Sequence, residues 1–168
     1  MPNYAVNYVC IKGNVETIKS LYENAKQEDE SFHLLNTMVP RPEIEKENWY
    51  DWNINNWGTK WDISDPNLEY SDNGDGTAKI TGYFLTPWSE PVDAYQTFQE
   101  QNNDVSIVAM VMELGNGYLG SYINGIHQYY EVFSRYDIEN VPQEVIEPFK
   151  GDIEHYLSMF DEEEVCDE

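Results

Sequence analysis

Val105-Ser106-Ile107-Val108-Ala109-Met110-Val111-Met112-Glu113-Leu114 is apolar on both faces at its middle. A strand of this pattern belongs in the interior of a sheet, because an edge or half-solvated strand alternates apolar with polar. The chain around it supplies its neighbours. Gly115-Asn116-Gly117 makes a tight turn into Tyr118 to Ile123, and Asn124-Gly125 is a second hairpin signal before Ile126 to Phe133. Upstream, Ser89 in Thr86-Pro87-Trp88-Ser89-Glu90-Pro91 is expected to cap a helix with Pro91 in its first turn. That helix carries Val92, Tyr95 and Phe98 toward the core and ends at Asn102 and Asn103.

Further back, Leu68 to Ser71 and Thr77 to Leu85 read as strands flanking the turn Asp72-Asn73-Gly74-Asp75-Gly76. The turn resembles the middle of an EF-hand loop at Asn73, Asp75 and Gly76. Gly82 stands where that loop needs a bidentate Glu, so no calcium site is expected. Tyr4 to Lys12 alternates as a first strand, with Ala5, Asn7, Val9 and Ile11 on one face. Asn14 then caps a helix bearing Val15, Ile18, Leu21, Tyr22 and Ala25. Phe32 to Val39 reads as a second strand stopped by Pro40 and Pro42, and Lys60 to Ile63 as a return to the sheet. Glu43 to Asn56 is weakly helical, with Gly58 placed to close a helix in the left-handed conformation. This order predicts an α+β protein. Its natural core is a ferredoxin-like βαββαβ unit, an antiparallel sheet with helices on one face. Residues 1–133 would form that domain, with a Trp-rich insertion over about 43–63, and residues 134–168 an acidic helical extension and tail.

The chain has 168 residues, enough for one domain to bury about two-thirds of its unfolded surface. Nine Lys and Arg stand against 32 Asp and Glu, a net charge of −23 that repels phosphates and anionic membranes and attracts basic surfaces. Direct nucleic-acid or membrane binding is therefore not expected. From Glu131 onward there are 13 acids against Arg135 and Lys150. Cys10 and Cys166 lack ligand-like spacing, and there is no leader-like start and no spanning apolar run, which together predict a cytoplasmic protein.

Four of the five tryptophans lie in Trp49 to Trp61, and the fifth is Trp88. Trp57, Trp61 and Trp88 are expected to meet in the core, with Lys60 held between Trp57 and Trp61 as a cation–π clamp. His33, His127 and His155 lie in different elements without metal-site spacing. No nucleophile elbow or phosphate-binding loop is present, so no catalytic residue, metal or cofactor is assigned.

Several stretches together resemble the YubB-like, ferredoxin-like-domain family of phage and plasmid proteins. They are Met1-Pro2-Asn3-Tyr4, Val39-Pro40-Arg41-Pro42, Asn56-Trp57-Gly58-Thr59-Lys60-Trp61, Thr86-Pro87-Trp88-Ser89-Glu90-Pro91 and the Gly117 to Gly125 segment. The match departs from the family pattern at Leu85-Thr86-Pro87 and at Glu90. The resemblance implies a mobile-element origin and a ferredoxin-like fold, and carries no activity or catalytic residue. With the mobile-element origin that the resemblance implies, the expected function is that of a non-enzymatic phage or mobile-element accessory protein acting in the host cytoplasm, and the charge suggests how it acts. It would occupy a basic surface of a host protein, as an acidic nucleic-acid mimic does, through Glu144, Glu147, Asp152, Glu154, Asp161, Glu162, Glu163 and Glu164. The alternative is a small-molecule or nucleotide-binding domain that uses the Trp-rich groove, with Lys60 as the anion contact.

Overall fold

The computed structural model describes residues 3–165, with side chains through Met159. Cys166 and the side chains of Asp161, Glu162, Glu163 and Glu164 lie outside the described residues. The chain forms β1 (Tyr4–Asn14), α1 (Val15–Ala25), α2 (Leu34–Met38), α3 (Trp49–Trp57), β2 (Ser64–Asp72), β3 (Thr77–Pro87), α4 (Val92–Gln101), β4 (Ser106–Glu113), β5 (Tyr118–Ile123) and β6 (Ile126–Glu131). Three further helices follow: α5 (Arg135–Glu139), α6 (Gln143–Ile146) and α7 (Lys150–Val165). It is an α+β protein built on one six-stranded antiparallel sheet, ordered β2-β3-β1-β4-β5-β6.

The strongest apolar strand, β4, is interior, paired on one side with β1 (Val9 opposite Ala109) and on the other with β5 (Val111 opposite Gly120). On one face of the sheet Val9, Ile11, Ile80, Phe84 and Ile107 pack under α1, α2, α3 and α4, which contribute Ile18, Leu21, Leu34, Leu35, Trp57, Tyr95 and Phe98. The expectation that helices cover one face only is corrected. Met110, Met112 and Leu119 face the other way and are covered by Val132, Ile138, Val141, Val145, Phe149 and Ile153. The segment beyond residue 133 is thus a third layer of the same body rather than an appendage. The alternating side chains of β4 leave an apolar row on each face, and each row needs a cover.

Three local readings also change. Phe32 to Val39 is not a strand: Leu34–Met38 is a helix turned by a carboxylate from elsewhere, since Asp62 accepts the N–H groups of Leu35 and Asn36 at 2.9 Å each. Lys60 to Ile63 stays outside the sheet, and β2 begins at Ser64, with a bulge before Asn67 where Asp65 takes φ +45° and Pro66 interrupts the ladder. Ser89 does not cap α4, because its hydroxyl donates to the Gly58 carbonyl instead. The Asp72 to Gly76 turn spends its acids on itself. Asp72 accepts the N–H of Gly74, and Asp75 accepts the N–H and hydroxyl of Thr77.

Candidate functional site

The Trp49–Trp61 stretch and the Trp88 loop are joined through backbone carbonyls. Helix α3 closes at Gly58, which takes φ +81° and packs so near α4 that a Cβ would stand 2.9 Å from the Asp93 carboxylate. From this turn the Thr59 hydroxyl donates to Pro87 O at 3.0 Å, and Ser89 donates back to Gly58 O at 2.9 Å. Between them Trp88 sits at φ +67°, costly for a bulky side chain, with its N–H donating to Asn3 O.

This docking delivers Trp88 to Lys60. The ammonium lies 4.8 Å from the Trp61 ring centre, 5.3 Å from Trp88 and 5.7 Å from Tyr50, a three-sided aromatic cage around the protein's own lysine. The expected clamp is therefore real in kind, right in Trp61 and wrong in its second partner. Trp57 is not part of it. That indole is 3% exposed, stands edge-on to Trp52 at 5.6 Å and donates to Val39 O at 2.9 Å. Trp57 belongs to the core, whereas Trp88 is 39% exposed. The predicted meeting of Trp57, Trp61 and Trp88 in one buried cluster does not form.

On the other flank of the Trp-rich segment a cleft of about 400 Å³ opens, lined among others by Arg41, Trp49, Asn53, Trp57, Trp61 and Asp62. Its polar groups are placed by one another. The Arg41 guanidinium donates to Asn53 Oδ1 at 3.0 Å, the Arg41 N–H donates to Asn36 Oδ1, and the Asn53 amide donates to Lys60 O at 2.8 Å. Asn53, 1% exposed in the middle of α3, is a buried amide whose two ends are both satisfied by this network. Asp62 accepts from Leu35, Asn36 and Ile63, and burial pushes its carboxyl above the usual range against those three bonds. Sequence reading missed both Arg41 and Asn53 as site residues. The available signal was an arginine between two prolines in a chain so poor in cations.

A second polar cluster lies on the sheet. Glu90, 6% exposed, receives Tyr118 OH at 3.0 Å on one oxygen and pairs with His127 Nε2 on the other. The Glu90 hydrogen bond raises the His127 pKa, and burial beside Glu90 pushes the Tyr118 hydroxyl well up. Of the residues predicted to meet a partner, Glu144, Glu147, Asp152 and Glu154 are exposed on the third layer.

No family model matches the chain, and no curated protein matches it. Among solved structures it is similar to a crystal structure of a protein api92 from Yersinia pseudotuberculosis, of the family model DUF1281. The two are 16% identical, with a TM-score of 0.43 over 62% of this chain, which spans 41% of that protein.

Proposed function

We propose that this is a phage or mobile-element accessory protein that presents its acidic third layer to a basic, nucleic-acid-binding surface of a host protein in the host cytoplasm. One observation carries the reading. Glu144, Glu147, Asp152 and Glu154 are exposed on elements whose opposite sides are anchored by Val145, Phe149 and Ile153 at 1%, 1% and 2% exposure. Carboxylates on an anchored layer keep their spacing, and a groove built for phosphates gains affinity from such an array by releasing counterions. A ferredoxin-like core is part of the same proposal. It is supported by the succession β1, α1, β2, β3, α4, β4, with α2 and α3 inserted between α1 and β2, and by the order β2-β3-β1-β4 within the sheet.

The test is competition on immobilised DNA loaded with the DNA-binding proteins of a host lysate. The wild-type protein is expected to release at least one of them at about 50 mM salt and none at about 500 mM, since the contact is ionic. A variant carrying E144K, E147K, D152K and E154K should release none. Equal release by wild type and variant, or no release at low salt, overturns the reading.

A further inference from the structure

The cleft beside the tryptophans is independent of the acidic layer and has a different chemistry. In a chain of net charge −23, its guanidinium is positioned without a carboxylate partner among the described residues. Lys19 pairs with Glu23, Lys46 with Glu43 and His127 with Glu90, and Arg41 is in none of these pairs. What holds Arg41 instead is neutral: the Asn53 amide oxygen on its head and the Asn36 amide oxygen on its backbone. A neutral holder fixes the fork and leaves its charge and remaining donors uncompensated, the state in which arginine accepts phosphate or carboxylate in two parallel hydrogen bonds. Asp62, the one acid among the described residues that line the cleft, has its oxygens turned to three backbone N–H groups rather than to Arg41.

The rest of the wall is aromatic. Trp49 is 38% exposed, and the Trp61 ring is fixed on its other side by Lys60. The volume, about 400 Å³, lies within the 300–1,000 Å³ or so of small-molecule sites. We propose that this cleft binds a small planar aromatic molecule with one anionic head, phosphate or carboxylate, the head on Arg41 and the ring against Trp49 and Trp61. Lys60 is not the anion contact, because its ammonium is turned into its own cage of Tyr50, Trp61 and Trp88.

Calorimetry and the indole N–H resonances of the full chain test this with four probes: adenosine 5′-monophosphate, indole-3-acetate, adenosine and inorganic phosphate. At least one of the first two should bind with Kd below about 1 mM and shift the Trp49 and Trp61 resonances, with adenosine and phosphate alone at least tenfold weaker. Whichever of the two binds distinguishes a phosphate from a carboxylate ligand. R41Q should weaken binding about tenfold or more in a chain that still melts cooperatively, its Tm lowered by loss of the Arg41 bond to the buried Asn53 amide, and W49A should weaken it while leaving the Trp57 resonance in place. The proposal is overturned if neither anionic aromatic binds at about 5 mM, or if R41Q binds as the wild type does. The salt-dependent release from DNA, which does not involve Arg41, would stand or fall separately.

Discussion

Glu90 shows how a single buried charge is made tolerable here. Taking a carboxylate out of water costs several kcal/mol unless its oxygens find donors, and Glu90 has one on each: Tyr118 OH and His127 Nε2. Room for it comes from Gly120, where a Cβ would lie 2.9 Å from the carboxylate. His127 titrates above its ordinary 6.5 because it holds its proton against Glu90. The folded chain therefore binds that proton over a pH range in which the unfolded chain releases it. The resulting stability is fully present below about pH 6.5 and is lost as pH rises through the raised value. Urea midpoints between about pH 6 and 9 should fall with pH for the wild type and change less for H127Q. Equal slopes would mean that the pair carries no linkage. This residue-scale arrangement was hidden in the sequence, since Glu90 and His127 lie 37 positions apart in elements that read as the start of a helix and a hairpin.

At the scale of elements, the fate of the tryptophans separates core from surface, and stability measurements can check it. Trp57 is buried with its N–H satisfied, so W57A should cost about 3–5 kcal/mol as a large-to-small core change. Trp61 is only half-buried and rests on Lys60, a contact of about 0.5–1 kcal/mol at partly wet sites, so W61A should cost less than half as much. Urea midpoints of the two variants decide it, and a W61A loss as large as that of W57A would return Trp61 to the core. Strands whose signal is local were legible: the alternation of β1, the double-sided apolar run of β4 and the Asn124-Gly125 hairpin. Helix α2 was not. The residues that cap it come from Asp62, and without that carboxylate Phe32 to Val39 has the composition of a strand. The Trp-rich segment announced a site by composition, but Arg41 and Asn53, which give the cleft its charge and geometry, meet across 12 positions through one side-chain hydrogen bond.

For the whole molecule, the layer beyond residue 133 decides whether the sheet is a complete body. Composition suggested a separable acidic tail, because residues 134–168 hold 12 acids against Arg135 and Lys150. The apolar residues between those acids are nevertheless well placed, with Ile138, Val145, Phe149 and Ile153 all buried against the sheet. Tyr83 of β3 reaches the same layer, its hydroxyl donating to Pro148 O at 2.9 Å and its ring meeting Phe149 edge-on at 6.5 Å. Removing residues 134–168 would uncover Met110, Met112 and Leu119, now at 6% exposure or less, together with Val6, Tyr8 and Val108 beside them. A sheet wet on a face patterned for burial loses the hydrophobic term that offsets its ordering entropy. A chain ending at Phe133 should therefore bind the dye ANS and unfold without a cooperative transition, whereas F149A in the full chain should unfold cooperatively but at a cost of about 3–5 kcal/mol. If the truncated chain melts cooperatively within about 3 °C of the full one, roughly 1 kcal/mol for a chain of this size, the third layer is a decoration on an independent domain. If it does not, the surface that displays Glu144, Glu147, Asp152 and Glu154 cannot be detached from the sheet that holds it.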